Sequence, residues 1–331
     1  MFQRTQPIRV STDDLVQVST PAAGGPVVIT PSRERLDLAE WAAANAEEIL
    51  TNLRRYGAAL LRGFAPLRED RLAEFIRLFA GDVMEYSYAS TPRTRESEGV
   101  YTATEYPADQ TIPLHNELAY SRSWPLRLAF LCVRPADEGG ETPLADCREL
   151  YRRIPADLCA RFSDKGVLYV RNYFGRLDLP WQRVFGTSDK ARVEEFCAQS
   201  GIEMEWRSGD GLRTRQRCPA VARHPETGEI VWFNQVALFH VSALAEHVRR
   251  TLSELRTEDD LPRNCFFGDG EPIDAADVVR IRQAYDESTR LFEWKAGDLL
   301  LLDNMLTAHG RRPYRGERRL LVAMGGRVFA E

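Results

Sequence analysis

The sequence predicts an antiparallel double-sheet jelly roll, mainly β with helical insertions. Three observations carry this. Short apolar runs bounded by Pro, Gly and Ser recur through the 331 residues. Amphipathic helical stretches cluster towards both ends of the chain. No regular strand–helix alternation appears, which speaks against a doubly wound parallel sheet. No internal repeat, low-complexity run or linker interrupts the pattern. Residues 1–331 therefore read as a single domain, with residues 1–30 as an N-terminal extension packed on it.

Residues 1–30 are polar, with scattered Pro and Gly, and hold one strand candidate at Val27–Thr30. From Arg33 to Tyr56 the residues Leu36, Leu38, Trp41, Ile49, Leu50 and Leu53 form a stripe of helical period, closed by Gly57. Ala58–Phe64 reads as a buried strand and Arg71–Phe79 as an amphipathic helix. Gly99 to Asp146 is strand-rich, with His115–Tyr120 and Leu128–Arg134 the clearest candidates. A loop at Asn172–Ser188 precedes a helix at Lys190–Ser200. Val221–Arg223 and Ile230–Phe233 flank the turn Pro225–Gly228 as a hairpin. Ser242–Arg256 and Asp274–Arg290 open on capping residues and read as helices. The chain closes on strands Leu299–Asp303 and Arg319–Val328.

With 44% hydrophobic and 28% charged residues, the composition is that of a globular protein with a sizeable core. A net charge of −5 gives no electrostatic reason to expect nucleic acid or an anionic membrane as partner. The first residues lack an apolar signal core, and the longest apolar runs are too short to span a bilayer. The six cysteines are scattered without a CxxC pair, as expected for reduced thiols in a cytoplasmic protein.

Only five histidines are present, at 115, 224, 240, 247 and 309. His115-Asn-Glu117 lies in a strand candidate, where side chains two apart share a face. Two imidazoles and one carboxylate on one face of a metal leave three positions open, the arrangement of non-haem iron(II) oxygenases. A bare HxE triplet is common, and its plain reading is a hydrogen-bonded pair. Its weight comes from the C-terminal segment, where Leu299–Asn304 leads into His309 and Arg318-Arg319 then enters an apolar strand. A guanidinium entering a barrel interior needs an anion, and the distal carboxylate of 2-oxoglutarate is a bidentate match.

Other polar residues carry weaker expectations. Asn116, Asn234 and Tyr120 are candidate substrate contacts, with Gln235, His240 and Trp124 as further ones; each also has a plain structural role to fill. Asp303 and Asn304 are expected to fix the loop carrying His309. His224 reads as a turn residue and His247 as a surface residue of the Ser242–Arg256 helix. Arg311, Arg312 and Arg315 are either a solvated charge run or the lining of a site mouth. A zinc hydrolase could use the same three ligands, but would leave Thr142 and the arginine pair without a task. A non-catalytic jelly-roll binding protein is the remaining alternative.

Four segments in order, Ala58–Phe64, His115-Asn-Glu117, Gly139-Gly-Glu-Thr142 and Gly297 through His309 to Arg319, resemble the taurine dioxygenase/clavaminate synthase (TauD/TfdA) superfamily over nearly the whole chain. The resemblance implies a double-stranded β-helix of the cupin-like jelly-roll kind. It implies His115, Glu117 and His309 as Fe(II) ligands and Thr142 as a hydrogen-bond donor to a 2-oxoglutarate carboxylate. Arg318 or Arg319 matches the cosubstrate-binding arginine. Strand alternation admits only one of them inward, with Arg319 the preferred of the two. The chain departs from the taurine dioxygenase pattern in having apolar Leu320–Ala323, and only then Arg327, where that enzyme carries a second arginine.

A narrower resemblance is to hydroxylases of the syringomycin (SyrP) type, through His115–Ser121, Trp124-Pro125, Trp232–Gln235 and Leu320–Gly325. It implies O2- and 2-oxoglutarate-dependent hydroxylation of an unactivated C–H of an amino-acid-like substrate in nonribosomal-peptide antibiotic biosynthesis. The substrate would be a small molecule, free or presented on a carrier protein. Halogenating relatives have a small residue where this chain has Glu117, so the carboxylate favours hydroxylation. A catabolic oxygenase for a free small acid, of the taurine or carnitine type, is the alternative.

Overall fold

The computed structural model describes residues 15–20, 25–86, 88, 93–174, 179–244, 249 and 261–330. Two facing sheets organise it, their strands numbered along the chain. The larger contains β1 (Val16–Ser19), β2 (Val27–Pro31), β3 (Ala58–Leu61), β4 (Arg95–Ser97), β5 (Val100–Thr102), β7 (Ser123–Arg134), β10 (Leu299–Asp303) and β12 (Arg319–Phe329). The smaller contains β6 (Ile112–His115), β8 (Thr142–Asp146), β9 (Arg290–Phe292) and β11 (Thr307–Arg311). The spatial orders are β1-β2-β3-β10-β7-β12-β5-β4 and β9-β8-β11-β6. Strand pairs are antiparallel, except that β2 runs parallel to β3.

The central strands of the larger sheet are apolar on both faces because both faces are covered. In β10, Leu299 and Leu301 pack with Trp41, Leu53, Phe75 and Ile76 of helices α1 (Leu38–Ala44), α2 (Ala46–Tyr56) and α3 (Leu72–Ala80). Leu300 and Leu302 point the other way and meet Phe130, Leu144, Leu320 and Val322 between the two sheets. The expected single helix over Arg33–Tyr56 is two. Asn45 takes φ −122° between them and donates from Nδ2 to the Trp41 carbonyl at 2.8 Å. Gly57 closes α2 at φ 74°, and a Cβ there would run into the Thr307 side chain.

Beyond this core, Glu203–Arg207, Gly211–Cys218, Val167–Tyr173 and Arg263–Phe267 form a further four-stranded sheet in that order. Helices Cys147–Arg153, Ala156–Lys165 and Ala275–Ser288 pack in the same core cluster. The fold is mixed α/β with more strand than helix.

Some sequence expectations change, and one falls mostly outside the described residues. β6 ends at His115, and residues 116–120 form a turn rather than the expected strand continuation. Val16–Ser19 is an edge strand of the larger sheet, and Val27–Pro31 lies between it and Ala58–Leu61, so both are strands of that sheet. The expected loop at 172–188 holds the end of a strand at Tyr173 and the helix Trp181–Phe185, while residues 175–178 lie outside the described residues. Most of the expected Ser242–Arg256 helix, His247 included, also lies outside them. No described helix is long and apolar enough to cross a membrane.

One buried charge cluster joins the larger sheet to the turn of the Val221–Trp232 hairpin. Arg127 on β7 sits in register opposite Asp303 at the end of β10, and both are fully buried and ion-paired. His224 Nε2 lies 2.9 Å from the same Asp303 oxygen, and Arg127 Nη2 reaches Glu226 at 2.6 Å. The other Asp303 oxygen accepts from the Met305 and Leu306 amides at 3.0 Å each, turning the chain towards β11. Burial pushes the Asp303 carboxyl up, but Arg127 and His224 outweigh it and hold it below its ordinary 3.8. A carboxyl shifted this way contributes stability present above pH 3.8 and lost as pH falls through its lowered value. Asp303→Ala leaves Arg127 buried without its partner and is expected to cost about 3–5 kcal/mol in denaturant unfolding. A loss under about 1 kcal/mol would contradict the cluster's role.

Candidate metal centre

His115, Glu117 and His309 converge: one ligand atom from each lies within 4.8 Å of the others. His309 on β11 pairs in register with His115 on β6, so adjacent strands bring the two rings to 4.7 Å between centroids. A β-bulge follows His309. Gly310 sits in it, where a Cβ would stand 3.1 Å from Pro143 Cγ and 3.2 Å from the Pro113 carbonyl carbon. Glu117 reaches the site from the turn, not from a strand. Leu118 after it takes φ 57°, a left-handed conformation uncommon outside glycine. Asn304 holds this turn from both sides. Its Oδ1 accepts from the Glu117 amide at 2.7 Å, and its Nδ2 donates to the Glu117 carbonyl at 3.0 Å and to Pro125 O at 2.8 Å.

The donor set fits a divalent metal. His115 Nδ1 lies 2.8 Å from the Pro113 carbonyl, which places the proton there and leaves Nε2 free to ligate. His309 has no hydrogen-bond partner among the described residues, and its Nδ1 is buried. Phe130 packs 5.3 Å from that ring. Burial pushes His309 well below its ordinary 6.5, with His115 and Arg93 adding to the effect. Burial also lowers His115, partly opposed by Glu117. Both imidazoles are therefore neutral, as ligands must be.

His115 and His309 open on a cavity of about 40 Å³ lined also by Arg93, Thr104, Ile112, Phe130, Thr142, Arg311, Arg318 and Leu320. Thr142 is buried, and its Oγ1 accepts the Trp294 indole N–H at 2.9 Å, leaving its own proton to donate. Arg318 faces the cavity and has no hydrogen bond or ion pair among the described residues, only the Tyr314 ring at 5.6 Å. Burial, then Arg311, pushes its guanidinium down to about 10. Arg319, the expected inward residue, points away and pairs with Glu69 at 2.6 Å and Glu96 at 3.2 Å. Alternation along β12 explains the correction: Leu320, Val322 and Met324 face the smaller sheet, and Arg318 shares their side.

The expected substrate contacts spend polar groups inside the protein. Asn116 Nδ2 donates to Asn304 O at 2.6 Å, and Gln235 Nε2 donates to Asn116 O at 2.7 Å. Asn234 bonds Ala220 O and caps Val236, and the Tyr120 hydroxyl donates to Tyr88 O at 2.9 Å. None of Asn116, Asn234 and Tyr120 lines the metal cavity. Trp124 packs on Phe233. His240 is held between Ser242 and the Ile273 carbonyl. Arg311 is buried rather than solvated, donating to the carbonyls of Tyr106, Pro107 and Gln110, whereas Arg312 and Arg315 are exposed.

Two residues, Arg93 in the cavity and Trp294 behind Thr142, carry no signal in the sequence. Trp294 lies in a segment without motif spacing, and Arg93 lies in the charge-rich run Arg93-Thr-Arg-Glu-Ser97. Arg93 is ion-paired with Glu117. Burial opposes its charge, yet Glu117 outweighs that and leaves its pKa raised.

A model of the taurine catabolism dioxygenase TauD, TfdA family matches residues 20–324. The dapdiamide synthesis protein DdaC of Enterobacter agglomerans is 39% identical over 273 residues, covering 82% of this chain and 83% of that protein. A clavaminate synthase-like protein of Arabidopsis thaliana is 32% identical over 284 residues, covering 82% of each. The crystal structure of PvcB from Pseudomonas aeruginosa has the same fold, with a TM-score of 0.56 at 15% identity over 97% of this chain and 94% of that one. The chain belongs to the TauD/TfdA family and is an Fe(II)/2-oxoglutarate-dependent dioxygenase.

Asn304→Ala frees the Glu117 turn and should weaken Mn(II) binding, followed by paramagnetic resonance, about 10–100-fold. Unchanged affinity would show that the turn holds itself. Protons compete with metal only below the lowered histidine pKa values, so affinity should stay level as pH falls to 6.5 and drop only beneath it. A loss of about threefold already between about pH 7.5 and 6.5 would mean that the imidazoles titrate normally.

Proposed function

We propose that this TauD/TfdA-family dioxygenase hydroxylates an unactivated C–H of an amino acid or amino-acid-derived small molecule in natural-product biosynthesis. Similarity to a dapdiamide synthesis protein supports the pathway class. Glu117 supports hydroxylation over halogenation, because its carboxylate fills the coordination position that a halide would need. The reading extends to a double-stranded β-helix core in one catalytic domain, working in the cytoplasm, where the buried, unpaired cysteines stay reduced.

The observation that carries the reading is an arginine without an anion in the cavity that two of the three metal ligands, His115 and His309, line. His115, Glu117 and His309 hold Fe(II). Arg318 takes the distal carboxylate of 2-oxoglutarate through its paired N–H groups, and Thr142, oriented by Trp294, donates its hydroxyl proton to a carboxylate oxygen. Phe130, Ile112 and Leu320 exclude water from this end. Fe(II) held there would supply O2 activation coupled to oxidative decarboxylation of 2-oxoglutarate to succinate and CO2, for oxidation of an aliphatic C–H. A cleft of about 830 Å³ shares Thr104 and Ile112 with the metal cavity and gives room for a substrate, free or carried on a partner protein.

Anaerobic titration with Fe(II) and 2-oxoglutarate should produce the weak visible charge-transfer band of the bidentate complex, and His309→Ala should abolish it. No band in the unmodified protein overturns the reading. Arg318→Met should weaken 2-oxoglutarate binding at least about 30-fold. The same change should stabilise the ligand-free fold by on the order of 1 kcal/mol, because a half-desolvated charge is removed.

A further inference from the structure

One buried guanidinium in the cavity has no task in holding iron or 2-oxoglutarate. The Arg93 side chain is 2% exposed, and its carbon lies 4.4 Å from the centre of the Tyr86 ring. Its Nη2 meets Glu117, while Nε and Nη1 are buried without a hydrogen-bond partner among the described residues. Leaving two guanidinium N–H groups unanswered out of water is costly unless a ligand answers them.

The charges around the metal point the same way. Arg93, Arg311 and Arg318 line the cavity, no acidic residue does, and Glu117 is the one carboxylate paired at its edge. Fe(II) and the 2-oxoglutarate dianion cancel one another, so an excess of two positive charges remains. Arg311 is answered by three carbonyls, and Arg318 by the cosubstrate. Arg93 keeps only Glu117, whose charge is shared once the metal binds. It stands beside a metal ligand and lines the same cavity.

We propose that Arg93 binds a free carboxylate of the organic substrate next to the iron and sets its position for oxidation. This rests on the proposed function, in which Arg318 serves 2-oxoglutarate. It narrows the substrate class to molecules that keep an ionised carboxylate near the reacting carbon. An amino acid joined to a carrier protein through its α-carboxyl has lost that charge, so a tethered substrate must bring a second carboxylate.

The test uses the full chain loaded anaerobically with Fe(II) and 2-oxoglutarate, with the free L-amino acids, aspartate and glutamate included, and their methyl esters as probes. The readout is the shift of the charge-transfer band when a probe enters. At least one acid should shift the band with an affinity about tenfold or more above that of its ester. Arg93→Gln should remove that preference while holding 2-oxoglutarate within about threefold, and Arg93→Lys should restore part of it. The lysine variant, checked by Mn(II) binding, separates lost recognition from lost folding. The proposal is overturned if no acid shifts the band, if acid and ester act alike, or if Arg93→Gln keeps the preference. It is also overturned if Arg93→Gln weakens 2-oxoglutarate itself about tenfold, since Arg93 would then serve the cosubstrate. Absence of the band in the unmodified protein is a separate result that strikes the broader reading instead.

Discussion

Asp303 leaves the interior strand β10 as a fully buried carboxylate, and the ion pair it makes with Arg127 on β7 sets the course of the chain beyond it. With that charge neutralised, its second oxygen can hold the amides of Met305 and Leu306 and bend the chain into β11. The bend places Asn304 between two segments far apart in sequence. From there it grips both backbone polar groups of Glu117. One metal ligand is thus held by a side chain of the corner, and another, His309, lies five residues beyond it. A buried pair is weak support for stability in itself, because desolvation consumes much of the attraction. Its value here is that it fixes a corner, and the corner sets the distance between Glu117 and the two imidazoles.

The arginines of the cavity show how partners, not residue type, assign roles. Arg311 is consumed by three carbonyls and braces the chain leading into β6. Arg319, one residue from Arg318, is consumed by two surface glutamates. Arg318 and Arg93 keep unspent donors, and both open into the space beside the imidazoles. A site that binds anions next to a cationic metal has to keep such groups desolvated, at the expense of stability in the empty state. Thr142 follows the same logic on a smaller scale: Trp294 occupies its acceptor side and leaves the hydroxyl proton facing the ligand.

Much of this architecture is legible in residue order. The apolar run Leu299–Leu302 marks a strand covered on both faces, and the structure covers it with helices and with the smaller sheet. His115, Glu117 and His309 are legible as a set because a carboxylate two residues from one imidazole, with a histidine and an arginine-bearing strand much later in the chain, fits few chemistries. The expected route for Glu117 is different: alternation along a strand would bring it beside His115, whereas a turn with Leu118 at φ 57° does so. Asn116, Asn234 and Tyr120 look available for substrate by their polarity and position. Each is instead engaged in holding backbone around the site, which polarity alone does not distinguish from recognition.

The sequence by itself determined the His-Glu-His set, the strand that Arg318 leads into and the apolar pattern of the central sheet, because these depend on residue types and, locally, on short, regular spacings. Only the tertiary structure turned Arg318 towards the cavity and Arg319 away from it. β12 is apolar on both faces, so neither side of the strand announced itself as the interior until the smaller sheet and α3 covered them. Only the tertiary structure, too, brought Arg93 into the cavity, Trp294 onto Thr142 and Asn304 onto Glu117. These are contacts between segments separated by tens to hundreds of residues, and no local period records them.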